Sequence, residues 1–373
     1  MYESEFALDE DLVYLNHAAV APWPRCTADA VRAFADENAT FGARRYTDWM
    51  ATEADLKRQL QRLINARSDA EIALLKNTSE ALSVVAYGLD WQAGDNVVIT
   101  NQEFPSNRLV WESLAKFRVE TRHADLAQGD TAESAIIARM NDRTRLVAVS
   151  SVQYATGLQL DLTTLGAACR ERGVLFCVDA IQSLGALTLD VQACQADFVM
   201  ADAHKWLLGP EGIALFYCRH AAMDLLDLKQ YGWHMIEDAL NFDAATWEIA
   251  GSARRFECGS PNMTGVHALH ASLGLIERVG IPGIQERILD NSRFLFDFFN
   301  NLTGSYRLVT PQAAGRYGGI VTFRPLRQSA ASLYERLQRK NVICALRGGG
   351  IRFSPHFYTS REKLAHALAL LPP

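Results

Sequence analysis

The run Asp202-Ala203-His204-Lys205-Trp206 puts a primary amine just beyond an apolar segment, between a histidine and a tryptophan. A lysine there either snorkels out of a surface turn, the commoner fate, or is desolvated and able to form a Schiff base. Asp179 narrows the choice. It ends the otherwise apolar run VLFCVDA and is followed by Gln182 and Ser183. A carboxylate at that point is costly to bury unless it caps the next helix or meets a cation.

A protonated pyridine nitrogen is such a cation. Pyridoxal phosphate (PLP) chemistry needs this pair: an amine for the aldehyde and a carboxylate that keeps the ring protonated as an electron sink. The phosphate would then sit at a helix start, and Asn77-Thr78-Ser79-Glu80 offers two hydroxyls, free N–H groups and a favourable dipole. An ordinary capping box with a Thr or Ser cap explains the same four residues without a ligand.

Short β-rich runs alternate with helix-like segments around these residues. EIALL (71–75), NVVIT (96–100), RLVAVSS (145–151), VLFCVDA (174–180), DFVMA (197–201) and GIALFYC (212–218) read as strands. Helices are expected from Thr78 to Leu89, from about Ser106 to Lys116, and over LTTLGAACRERG. Such alternation predicts an α/β fold, a largely parallel sheet with helices on both faces and chemistry beyond the carboxyl ends of its strands. From about residue 260 the texture changes. Two helices (Gly265–Val279 and Gly283–Leu302), the strands GIVTF, VICAL and GIRFSP, and a helix after Ser360 read as a smaller α+β domain.

The 373 residues are 49% hydrophobic and 21% charged, with net charge −6 and no basic block, so nucleic acid is not an expected partner. Seven scattered cysteines with no CxxC pair indicate neither a disulfide framework nor a zinc site, and no metal is expected. The acidic N-terminus lacks signal-peptide features, and no apolar run of ~20 residues suggests a membrane span. A cytoplasmic location is expected.

The chain resembles the class V aminotransferase group of fold-type I PLP enzymes, which includes cysteine desulfurases, kynureninases and isopenicillin N epimerase-like proteins. The resemblance runs through YLNHAAVAP (14–22), LKNTSEAL (75–82), NQEFPSNRLVW (101–111), FCVDAIQSLG (176–185), ADAHKWLLGPEGIALFY (201–217), FECGSPN (256–262) and ALRGGGIRFSPHFYTS (345–360). It implies a large PLP-binding domain over 21–262 with a mostly parallel sheet of the seven-stranded type. A C-terminal domain over 263–373 and an N-terminal segment, 1–20, that lines the active site complete the layout.

Carried over by position, it implies that Lys205 is the aldimine lysine and the acid/base at Cα, and that Asp179 holds the pyridinium nitrogen. Gln182 would bond the ring hydroxyl, Phe104 would stack on the ring, and Gln153 would lie near the ring hydroxyl or substrate. Thr78, Ser79 and His204 would bind phosphate, joined by Ser260 from a second subunit of a homodimer. Arg352 would clamp the carboxylate of an amino-acid substrate, with Asn16 and His17 lining the pocket. His17 as the cap of a turn, and Gly348-Gly349-Gly350 as room for a ligand to approach the backbone, are further readings.

Desulfurases of the group carry a nucleophilic cysteine on a mobile loop upstream of that arginine. Here only Cys344 is near, inside the apolar NVICAL, where a core role is the expectation. An aminotransferase or a C–S lyase acting by β-elimination is therefore the expected enzyme. A desulfurase, epimerase- or kynureninase-like chemistry and a PLP-fold protein without turnover remain the alternatives. A nicotinamide enzyme lacks its glycine fingerprint.

Overall fold

The computed structural model describes residues 2–372. After the short strand β1 (Val13–Tyr14), seven strands form one sheet: β2 (Ile72–Leu75), β3 (Asn96–Thr100), β4 (Glu120–Ala124), β5 (Thr144–Ser150), β6 (Leu175–Asp179), β7 (Phe198–Asp202) and β8 (Ala214–Cys218). Their spatial order is β2-β8-β7-β6-β5-β3-β4. Only β8 runs against the rest, pairing antiparallel with both β2 and β7.

Both faces of the sheet are covered, which is why its strands read as continuous apolar runs. Val147 and Val149 of β5 enter one packed layer, while Leu146 and Ala148, pointing the other way, enter the second. Each such valine or leucine removed from water contributes roughly 1.5–3 kcal/mol. Helices α1 (Arg25–Phe41) and α2 (Tyr46–Leu63) precede the sheet, and α3 (Thr78–Gly88), α4 (Ser106–Glu112), α5 (Ala132–Ile137) and α6 (Leu162–Glu171) lie between its strands. The cap of α3 is Asn77, whose side chain accepts from the Glu80 amide, rather than a threonine or serine.

Two helices follow, α7 (Met263–Val279) and α8 (Ile281–Asn300). Val266, Leu269 and Leu273 of α7 belong to the same apolar layer as β5, so this helix completes the large core. The second core begins with Leu295 and Phe296 in α8. It takes in β9 (Tyr306–Leu308), β10 (Val321–Pro325), α9 (Ala330–Arg339), β11 (Val342–Ile343), β12 (Ala345–Arg347), β13 (Gly350–Phe353) and α10 (Arg361–Ala369). Four of these strands form an antiparallel sheet in the order β12-β13-β10-β9.

The triple glycine is a hairpin turn. Gly348 and Gly349 have φ of +60° and +71°, the two left-handed positions of a tight β12–β13 connection. A Cβ on Gly350 would lie 2.2 Å from the carbonyl oxygen of Phe323, so the neighbouring strand takes the space. The glycines serve backbone geometry here, not the approach of a ligand.

The N-terminal segment joins the two units. β1 pairs in parallel with β11, and Asn16 bridges to Ser354. The Ser354 amide donates to the carbonyl of Leu15 at 2.8 Å. On the other side, Gln182 donates to the Ala18 carbonyl at 3.0 Å and the Ala21 amide donates to the His204 carbonyl at 2.7 Å.

Candidate active site

Strands β6 and β7 are adjacent and parallel, so Asp179 and Asp202 both reach the carboxyl edge of the sheet. The chain turns there, and Lys205 follows three residues after Asp202. These groups open onto a cleft of about 240 Å³ walled also by Ala18, Thr78, Phe104, Gln182 and Arg352.

The charges in this cleft are nearly dry. Lys205 is 8% exposed, and burial pulls its ammonium below the ordinary lysine range; Asp179 pulls the other way and Arg352 adds to the lowering. Burial likewise pushes the Asp179 carboxyl up, even though the Ile181 amide donates to Oδ1 at 3.0 Å and favours the anion. Burial raises Asp202 to about 6 and lowers His204 to about 4. Lys205 and Asp179 are thus both biased towards their neutral forms, which leaves a nucleophilic amine and a carboxyl short of a cation.

Thr78 ties α3 to the end of β7. Its hydroxyl accepts from the Asp202 amide at 3.1 Å, and its own amide donates to Asp202 Oδ2 at 3.3 Å. The Ser79 hydroxyl donates to Ser106 Oγ at 2.8 Å, and both line the cleft. His204 stands opposite, with Nδ1 buried and unpartnered; Asp202 Oδ1 is also without a partner.

Phe104 is 40% exposed, and Lys205 Nζ lies 5.6 Å from its ring centroid. The loop that presents it is held from below by Glu103, a buried carboxylate. Its oxygens accept from the Ser150 amide at 3.1 Å, Thr100 Oγ1 at 2.8 Å and Asn107 Nδ2 at 2.9 Å. Nothing in a lone Glu before Phe-Pro marks this role. The only hint in the sequence is a polar series at helical spacing, Glu103, Asn107 and Trp111, whose side chains prove to bond one to the next.

Four expected site residues stand elsewhere than on the cleft wall: Asn16, which reaches Arg352 from the side, Gln153, His17 and Ser260. Gln153 is wholly buried behind it, donating to Glu103 at 3.3 Å, with its Oε1 unpartnered. His17 is packed inside, its Nδ1 2.8 Å from the Ser354 carbonyl and its Nε2 2.6 Å from the Tyr358 hydroxyl. The carbonyl can only accept, so Nδ1 carries the proton and Nε2 accepts from Tyr358. Burial lowers this histidine to about 4, so it is neutral. Ser260 is exposed and lines a separate cleft with Lys76, Gly212 and Phe256.

Gln182 remains on the wall, its Oε1 accepting from Trp206 Nε1 at 3.0 Å. Arg352 is 2% exposed and makes no ion pair among the described residues. Its Nη1 donates to the Tyr154 carbonyl at 2.8 Å, Asn16 Oδ1 lies 3.5 Å from Nη2, and Nε is unpartnered. Burial lowers its pKa to about 10, so it stays charged at neutral pH. A buried guanidinium with an unpartnered Nε–H has donors and charge suited to a carboxylate. A second arginine, Arg347, to which the resemblance over 345–360 assigns no role, also lines the cleft.

All seven cysteines are free, and none lines this cleft. Cys344 is buried between β11 and β12, and burial pushes its thiol up to about 12.

The donor set fits PLP: a neutral-leaning amine, a carboxyl short of a cation, hydroxyls at the start of an 11-residue helix, and an aromatic face beside the amine. The family profile for class-V aminotransferases matches residues 13–362. The chain belongs to this family. With it, the chain is a PLP-dependent enzyme of the transferase or lyase type, acting at the α-carbon and amino group of an amino acid.

Among its relatives in the class-V family, a "probable cysteine desulfurase" of Methanothermobacter thermautotrophicus is 29% identical, covering 96% of this chain and 94% of that protein. The "uncharacterized aminotransferase YcbU" of Bacillus subtilis is 30% identical over 84% of this chain and 81% of its own length. Among solved structures, a complex of the cystine C–S lyase C-DES with cysteine persulfide superposes with a TM-score of 0.89. It is 25% identical, over 96% of this chain and 97% of that one. A C-DES mutant with glycine covalently linked to the PLP cofactor gives 0.88 at 25% identity, over 96% of each chain. No helix among the described residues is long and apolar enough to cross a membrane.

Proposed function

We propose that this chain is a C–S lyase that removes a sulfur leaving group from the β-carbon of an amino acid. The observation that carries this reading is the thiol-free cleft: Cys344 is buried away from it, while Lys205, Asp179 and Arg352 face it. A desulfurase needs a thiolate that reaches the substrate sulfur, and burial holds Cys344 in its protonated form. The similarity to C-DES supports the same branch.

PLP, when bound, supplies an aldehyde for the substrate amine and a ring that accepts the electron pair released at Cα. Lys205 anchors the cofactor and, once its amine is free, takes the proton from Cα. Asp179 holds the proton on the ring nitrogen, and that cation in turn relieves the cost of burying Asp179. Thr78, Ser79, His204 and the α3 N-terminus bind phosphate, Phe104 packs on the ring, and Gln182 has an amide N–H left for the ring hydroxyl. Gln153 acts through Glu103. Arg352 grips the α-carboxylate with two parallel N–H donors, fixing which bond at Cα faces Lys205. His17 and Asn16 hold the segment that roofs the cleft.

The active unit in this reading is a homodimer. Tyr231, Phe242 and Trp247 are 65%, 75% and 60% exposed on the stretch that precedes Ser260, an apolar surface suited to a second copy. Ser260 would then reach the second copy's phosphate. Seven free cysteines suit a reducing compartment such as the cytoplasm.

Incubating the PLP-loaded protein with cystine or cysteine, without a keto-acid acceptor, tests the reaction. Pyruvate and ammonia are expected. Alanine with released sulfur would overturn the proposal in favour of a desulfurase, an acceptor-dependent keto acid in favour of an aminotransferase, and no product in favour of a protein without turnover.

A further inference from the structure

Beside the edge strand β2, away from the cleft, Glu53 and Lys57 of α2 are packed together with His234 and Glu257. Glu53 stands on the inward face of its helix with Trp49, Leu56 and Leu60, where the pattern calls for an apolar side chain. His234 is 1% exposed and belongs to the turn Trp233–Met235.

Lys57 ties the two carboxylates together and leaves them short of positive charge. Its Nζ lies 3.0 Å from Glu53 Oε1 and 2.9 Å from both oxygens of Glu257. The Leu74 amide donates to Glu257 Oε1 at 2.6 Å. Two carboxylates against one ammonium leave a negative charge out of water, and burial pushes the Glu257 carboxyl up against the pull of Lys57.

The atoms left over converge. Glu53 Oε2 and both ring nitrogens of His234 are buried without a partner among the described residues. His234 Nδ1 lies 3.5 Å from Glu257 Oε2. Hydrogen bonds run at about 2.7–3.2 Å, so this contact is too long to be a good one. It is close to the separation of two ligands on one tetrahedral zinc ion, about 3.3 Å for bonds of about 2.0–2.1 Å. One ligand atom from each of Glu53, His234 and Glu257 lies within 4.8 Å of the other two.

We propose that Glu53, His234 and Glu257 form a site for a divalent transition-metal ion of the zinc type, with Lys57 orienting both carboxylates from outside. Imidazole and carboxylate ligands suit zinc, and ligating carboxylates are ordinarily held by a hydrogen-bonded outer shell. The expectation that no metal is bound rested on cysteine spacing, whereas these ligands are nitrogen and oxygen from three distant stretches of chain. The ion's role is structural. It fastens α2 to the turn that carries Trp233 and to the stretch leading to Ser260, whose Oγ accepts from Trp233 Nε1 at 3.4 Å. The assignment is independent of the reaction run in the cleft.

The test compares the parent holoenzyme with H234Q and E53Q. Each is dialysed against zinc, then against metal-free buffer, and its metal content is measured by mass spectrometry. The parent is expected to retain about one zinc per chain, and each variant to lose it about tenfold or more. Zinc should raise the unfolding temperature of the parent by several degrees and leave that of the variants unchanged. X-ray absorption at the zinc edge of the parent should show a shell of nitrogen and oxygen with a single imidazole. A parent that retains no zinc overturns the site. Zinc held equally by the variants, or a shell with sulfur or several imidazoles, places the ion elsewhere and overturns it too. Should neither variant fold, the absorption spectrum of the parent decides.

Discussion

The guanidinium of Arg352 donates to the backbone carbonyl of Tyr154 at 2.8 Å and meets no carboxylate among the described residues. The carbonyl aims the planar fork while leaving its charge unspent. Replacing Arg352 by Gln should reduce kcat/KM for amino acids by about 10²–10³-fold, some 3–4 kcal/mol. Lysine at this position should recover little, because it keeps the charge and loses the fork. Steady-state kinetics on the PLP-loaded variants decide this, with cofactor absorbance confirming that the ring is still bound.

Lys205 should be the point of covalent attachment. Borohydride reduction of the holoprotein followed by peptide mass spectrometry should find the cofactor on Lys205 and on no other lysine. The Lys205→Ala variant should release its cofactor on denaturation even after the same borohydride treatment. Because burial lowers the Lys205 ammonium, cofactor uptake by the apoprotein should rise with pH in a range below that of an ordinary lysine.

Cys344→Ala should retain most of its β-elimination activity and cost about 1–2 kcal/mol of stability from the small cavity left in the C-terminal core. Loss of all activity with PLP still bound would restore the desulfurase assignment. Turnover and urea unfolding together separate the two.

His17 ties acid sensitivity to the N-terminal segment. Its value falls from 6.5 to about 4 on folding, because burial disfavours the imidazolium more than the bond to the Ser354 carbonyl favours it. Between those values the unfolded chain binds more protons, so stability rises with pH. The contribution is complete above about pH 6.5 and is lost as pH falls towards 4; its size is about 3 kcal/mol. His356, packed 5.2 Å away, is lowered by burial in the same direction. His17→Gln should therefore flatten, without abolishing, the acid limb of stability measured by denaturant unfolding from pH 4 to 7.

Glu103→Gln should loosen the Phe104 loop. An amide keeps one acceptor oxygen and turns an NH₂ towards buried donors from Ser150, Thr100 and Asn107. With about 1–3 kcal/mol at stake for each unsatisfied donor, a loss of about 3 kcal/mol is expected in urea unfolding, with weakened PLP affinity by spectral titration.

The strands of the sheet were legible where both faces are buried. NVVIT matches β3 residue for residue, because burial of every side chain leaves an uninterrupted apolar run. The edge strand β4, with the sequence ETRHA, carries no such mark, since only Ala124 is fully buried. Asp179 and Lys205 stood out because charge at the end of an apolar run needs a reason. Glu103 did not, since an isolated charge in a loop looks solvated until the fold encloses it. For the opposite reason, His17 and Gln153 looked like ligand contacts. Whether a polar side chain turns to the cleft or away from it depends on partners such as Tyr358 and Glu103, which are distant or unremarkable in sequence.

The short stretch from Leu15 to Ala21 bonds on one side to Ser354, two residues beyond Arg352, and on the other to Gln182 and His204, beside Asp179 and Lys205. It works as a calliper. The gap between the carboxylate clamp and the amine is gauged by these seven residues and the turn at His17–Ala19, not by the long path through α7 and α8. The length of substrate admitted between the two charges is thereby written into a segment that meets Arg352 only through Asn16 Oδ1.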